Sequence, residues 1–180
     1  MGNKITKRLV SDGMLIGLYV VLTYLSFSVG NFRIGLGALA TILVSLLFGP
    51  LDGFIVACLG ELLMQFIKYG FSLTTPIWIL APAFRGIFIG FIAYLYKRKG
   101  LDLVDRKVMY FVTILLSSLL VTLINTLALY LDALIIGYPF TFVIVEIISR
   151  IGIGLGNAII LSLIARPIYK GIRGIVNERN

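Results

Sequence analysis

Six long apolar stretches, separated by short polar or glycine- and proline-bearing connections, run through nearly all of the 180 residues. Their continuity, more than any amphipathic period, defines the elements. A hydrocarbon layer about 30 Å thick takes roughly 20 apolar residues per helix. On that measure the chain predicts membrane-crossing helices over about 9–27, 34–49, 51–69, 77–97, 108–131 and 141–165. The second is the shortest and least apolar, since it holds Gly35, Gly37 and Thr41, and a reentrant segment is the alternative there. Between the second and third spans, Leu47-Phe48-Gly49-Pro50-Leu51-Asp52-Gly53 predicts a tight turn. Pro50 cannot continue a helix, and the flanking glycines accept turn conformations. The connections 28–33, 70–76 and 132–139 fall at the opposite face. Their Gly, Pro, Ser, Thr and aromatic content suits folded caps over a cavity.

Composition supports a membrane solvent. Hydrophobic residues make up 59% and charged residues 13%, whereas soluble domains carry about 45–50% and 25%. The pattern predicts a single all-α integral membrane domain over residues 1–180, with six transmembrane helices. The first span follows a short basic leader with no small-residue cleavage site, so it is expected to be retained. The net charge of +8 is unevenly placed. Twelve basic residues lie before span one, between spans four and five, and after span six, whereas only Arg33 and Lys68 lie at the other face. That asymmetry predicts cytoplasmic N and C termini and contact with anionic lipid in the bilayer rather than nucleic acid.

The residue inventory restricts the chemistry. There is no histidine, and the single cysteine, Cys58, has no disulfide partner within the chain. A histidine-dependent intramembrane protease or metalloenzyme is thereby excluded, and no catalytic residue, metal site or cofactor is expected. No nucleotide-binding loop is present, so any ATP hydrolysis falls to a partner.

The polar residues inside the spans are Glu61, Gln65, Arg85, Asn125, Glu146, Arg150 and Asn157. Ionised groups at membrane depth are costly, about 2.5–3.5 kcal/mol each on insertion scales, so they face protein or a wet cavity. One reading pairs Glu61 with Arg85, and Glu146 with Arg150 at helical spacing, to fix helix packing. The other lines a pocket with them. Arg85 and Arg150 would then clamp a carboxylate, since guanidinium matches that group in bidentate fashion. Arg33 and Lys68 would attract an anion at the rim, and Gln65, Thr75, Asn125 and Glu146 would add polar contacts. Trp78, with Tyr69, Tyr130 and Tyr138, offers either an interfacial belt or a wall for a flat ring. Gly13 and Gly17 form a small-xxx-small face on the first span, suited to close helix packing.

The Phe48-Gly49-Pro50-Leu51-Asp52-Gly53 turn resembles the F-G-P-x-x-G of the substrate-binding S components of energy-coupling factor (ECF) vitamin transporters. The length, the six spans and the Gly13/Gly17 face, where the family commonly has alanines, add to the resemblance. With Leu123-Ile124-Asn125-Thr126-Leu127, the turn is most similar to the folate branch. The resemblance implies an S-component-like bundle in a bacterial cell membrane that captures an extracellular vitamin, with folate or a related pterin favoured. It further implies docking through Gly13 and Gly17 onto a transmembrane coupling subunit driven by two cytosolic ATPases. Another vitamin such as pantothenate, or a stand-alone channel or proton-coupled carrier using Glu61 and Glu146, is the alternative.

Overall fold

The computed structural model describes residues 2–29, 32–70, 73–137 and 139–178. The six apolar stretches are six helices: α1 (Gly2–Tyr24), α2 (Gly37–Phe48), α3 (Pro50–Tyr69), α4 (Thr75–Arg98), α5 (Lys107–Ile136) and α6 (Phe140–Glu178). A small antiparallel hairpin joins α1 to α2: β1 (Phe27–Val29) pairs with β2 (Phe32–Ile34), with Ser28 opposite Arg33. A 3-10 turn at Leu103–Asp105 precedes α5. The helices α3 to α6 contain segments long and apolar enough to cross a bilayer, and α1 and α2 carry shorter apolar segments.

The brevity of α2 has a packing explanation. Its 12 residues rise roughly 18 Å at 1.5 Å each, well short of the hydrocarbon thickness. The helix is enclosed instead of lipid-facing: Leu39 through Leu46 are all buried, among neighbours from α1, α3, α4 and α6. Its hydroxyls are satisfied locally, with Ser45 Oγ donating to the Thr41 carbonyl at 2.7 Å. At its C-terminal end, Lys97 Nζ donates to the Leu46 and Leu47 carbonyls at 2.9 and 3.1 Å. A cation there suits the negative end of the helix dipole. Gly49 then turns the chain at φ 105°, and Pro50 opens α3 where its missing N–H is harmless.

Lipid supplies no hydrophobic drive between helices, so close approach has to do the work. The α3–α4 contact is the tightest. A Cβ at Gly86 would strike the Gly53 carbonyl, and one at Gly90 would strike the Pro50 backbone. On α5 and α6, Ser118 Oγ donates to the Gly154 carbonyl at 2.7 Å, and Tyr110 donates to the Ser162 carbonyl at 3.0 Å.

The end of the bundle carrying the basic connection is closed. Ile42, Leu46, Ile89, Leu103, Val104, Ile114 and Tyr169 form one apolar plug there. Outside the plug, Arg173 pairs with Asp102 at 2.6 Å and with Asp105 at 3.1 Å, and Tyr169 donates to Asp102 at 2.8 Å. This clasp accounts for the main departure in helix length. The sixth helix runs as far as Glu178 instead of ending near residue 165, because its last turns are tied to the connection before α5. At the other end α5 continues past residue 131 to Ile136, so Asp132 is in a helix and not in the loop expected there.

A cavity among all six helices

The helices α3 to α6 each present a polar stripe inward. On α3 the stripe is Glu61, Gln65 and Lys68; on α4 it is Trp78, Pro82 and Arg85. On α5, Ser118, Thr122, Asn125 and Asp132 share a face, as do Arg150, Gly154 and Asn157 on α6. These intervals of three, four and seven residues are those of one helix side. Tyr19 and Thr23 from α1 and Gly37 from α2 complete the wall of a cavity of about 800 Å³. A cavity of that size falls in the usual range for small-molecule sites, about 300–1,000 Å³.

Glu61 does not pair with Arg85. Its Oε2 accepts from Tyr19 Oη at 2.7 Å and its Oε1 from Gln65 Nε2 at 2.9 Å. Glu61 still acts electrostatically on Arg85, but among the described residues Arg85 forms no ion pair within 4 Å and donates no hydrogen bond. A half-buried guanidinium therefore faces the cavity with its donors uncommitted. Room for this arrangement comes from Gly60, where a Cβ would strike the Tyr19 ring. Tyr19 itself is buried at 4% exposure, which holds its hydroxyl at the cavity wall.

Trp78 is turned inward. It packs against Leu129 and Ala133 of α5, as does Ile147 of α6. The Arg150 guanidinium lies 5.7 Å from the ring centroid, within cation–π range. Among the described residues the cavity thus contains three cations, Lys68, Arg85 and Arg150, and two carboxylates, Glu61 and Asp132. Apolar wall is supplied by Met64, Val121, Ile153 and Leu161.

Of the residues singled out from the sequence, Gln65, Lys68, Trp78, Arg85, Asn125 and Arg150 line this cavity. Thr75 is buried at 1% exposure outside the lining, which passes through Thr74 instead. The side chains of Arg33 and Glu146 lie outside those described, and Tyr138 lies outside the described residues. Tyr69 lines the cavity and Tyr130 does not. Tyr19 and Asp132 were absent from the sequence-based set. Asp132 was legible in principle, being seven residues beyond Asn125 on the same helix side; Tyr19, in a continuous apolar run, was not. On α1, a Cβ added at Gly13 or Gly17 would meet nothing within 4 Å, so neither glycine serves packing inside the described protein.

A family model described as "ECF transporter, substrate-specific component" matches residues 7–176. The chain belongs to this family. Members of the ECF substrate-specific family are membrane-embedded transport components, not enzymes. The bundle also matches a solved S component of a bacterial ECF transporter with a TM-score of 0.68 at 18% identity, over 95% of this chain and 98% of the other. The S component for biotin from an ECF-type ABC transporter matches at 0.65 and 17%, over 94% of each chain. At such identities the likeness concerns the fold. Among curated proteins, UPF0397 proteins of Lactococcus lactis subsp. cremoris strains NZ9000 and MG1363 are 33% identical over 94 residues, 51% of this chain and 50% of theirs. The chain therefore spans about half the length of the curated relatives it matches.

Proposed function

We propose that this ECF family member binds an acidic, ring-bearing vitamin from outside the cell, with folate or a related pterin as the favoured ligand. The observation that carries the reading is Arg85, whose guanidinium faces a cavity of about 800 Å³ with no acceptor among the described residues. A guanidinium held this way at membrane depth is stabilised when a ligand carboxylate accepts its hydrogen bonds. Lys68 and Arg150 add positive charge to the same cavity, and Trp78 offers a face for a flat ring. Gln65 and Asn125 supply amide contacts.

In this reading both termini are cytoplasmic, in line with the basic residues at the plugged end, and the cavity belongs to the outer half of the membrane. The open Gly13/Gly17 face of α1 docks onto a transmembrane coupling subunit, which two cytosolic ATPases drive. Glu61 argues against a stand-alone proton-coupled carrier, because both its oxygens are engaged by Tyr19 and Gln65.

The test is equilibrium binding of a water-soluble vitamin panel to detergent-purified protein in the absence of ATP. Nanomolar to micromolar binding of an acidic, ring-bearing vitamin is the expected result. Well-folded protein that binds no panel member would overturn the reading. Substrate flux through proteoliposomes containing this chain alone would replace it with the carrier.

A further inference from the structure

Among the described residues, Asp132 is an acidic residue that neither packing nor the anion site uses. It lies in the penultimate turn of α5, is 8% exposed, and lines the cavity. Its Oδ1 is buried and has no hydrogen-bond partner among the described residues. The hydroxyls on this side of α5 are committed: Ser118 donates to the Gly154 carbonyl, Thr122 to the Ser118 carbonyl, and Thr126 to the Thr122 carbonyl. Those hydroxyls point back to backbone, so none is turned toward Asp132. A buried acceptor without a donor is destabilising in the empty protein. It is retained at no such cost where a bound molecule supplies the missing N–H.

The surroundings specify what kind of molecule that is. Ala133 and Leu129, beside Asp132 on α5, pack against Trp78. Trp78 and Asp132 thus line one cavity with Asp132 next in sequence to a residue the indole packs against, so a flat ring bound beside the indole can present its edge to the carboxylate. Two oxygens in one plane match two parallel N–H donors, the edge presented by a ring N–H next to an exocyclic amino group. The three cations of the cavity select an anionic group elsewhere on the same molecule.

Building on the proposed vitamin-binding role, we propose that Asp132 is a ligand-binding residue that reads the N–H donor edge of a bipolar ligand, an amino-substituted heterocycle carrying an acidic tail. A simple organic acid satisfies Arg85 and leaves Asp132 without a partner. A ring with a donor edge satisfies both.

Two variants and one panel test this. Detergent-purified wild type, Asp132→Asn and Asp132→Leu are compared for thermal stability without ligand. Binding is then measured calorimetrically with folic acid, thiamine, riboflavin, biotin and pantothenate. The vitamin that binds wild type is expected to carry ring N–H donors and to bind Asp132→Asn about 10- to 100-fold more weakly. Without ligand, Asp132→Leu is expected to melt at a higher temperature than wild type, because it removes an unsatisfied buried acceptor. A binder whose affinity is unchanged in Asp132→Asn, a binder without ring donors, or a lower melting temperature for ligand-free Asp132→Leu overturns this inference alone. Folded wild type that binds nothing in the panel removes the vitamin-binding reading as well, so the two failures are distinguishable.

Discussion

Tyr19 on α1 donates a 2.7 Å hydrogen bond to Glu61 on α3, across 42 residues of sequence. The ring fits over Gly60, and the carboxylate it reaches acts electrostatically on Arg85. Tyr19 lies roughly 200° around α1 from Gly17, at about 100° per residue. One side of this helix therefore touches the cavity while the glycine side faces open space. A change at Arg85 can reach α1 through Glu61 and a single tyrosine hydroxyl.

Tyr19→Phe keeps the ring and deletes that hydroxyl. Glu61 Oε2 loses its donor, which destabilises the protein by about 1–3 kcal/mol. A lower melting temperature in detergent, with the helical circular dichroism spectrum intact, is the expected outcome. An unchanged melting temperature would mean that water replaces the tyrosine at no cost.

Arg85→Ala is expected to weaken ligand binding by about 2–5 kcal/mol, the range for truncating one side of a buried charged contact. Arg85→Lys should recover part of this, because an ammonium retains the charge but lacks the planar fork. Calorimetric titration of the three proteins separates charge from geometry. Equal binding by all three would remove Arg85 from the site.

Gly86→Leu places side-chain atoms where the Gly53 carbonyl sits. Overpacking of this kind costs about 1–3 kcal/mol, with little chance of relaxation between two helix backbones. Reduced yield of monodisperse protein and a lower melting temperature are expected. A variant as stable as wild type would show that α3 and α4 are free to separate.

Gly17→Leu should behave differently, because nothing lies within 4 Å of its added Cβ. Stability and ligand binding are expected to remain near wild type, while assembly with the coupling subunit is lost. Pull-down of the coupling module, run beside ligand titration, reads both. Lost ligand binding with intact assembly would reverse the assignment of the two faces.

The clasp at the basic end predicts a response to acid. Hydrogen bonding from Arg173 holds the Asp105 carboxyl below its ordinary value. Its stabilising contribution is complete above the unfolded-state pKa, about 3.9, and is lost as pH falls through the lower folded value. Melting temperatures between pH 6 and pH 3 should therefore fall further for wild type than for Arg173→Ala. Since Asp105 is half exposed, the difference should be small and shrink with added salt. Parallel curves would show that the pair contributes nothing.

The number of helices and their membrane setting were legible in the sequence alone, because long apolar runs signal a lipid solvent; the length of α2, which falls short of the bilayer, was not, since its enclosure by other helices replaces the need to span. The inward direction of Gln65, Lys68, Arg85, Asn125 and Arg150 was legible for a related reason: lipid penalises these groups anywhere else. Tertiary structure decided what they meet. Glu61 takes Tyr19 and Gln65 in place of Arg85 because Gly60 lets α1 approach, and no local pattern encodes that proximity. Asp132 joins the cavity because Leu129 and Ala133 pack on Trp78 and carry α5 onward to Ile136. Hydropathy reports the solvent a segment prefers, whereas partners and helix ends depend on which backbones come close enough to touch.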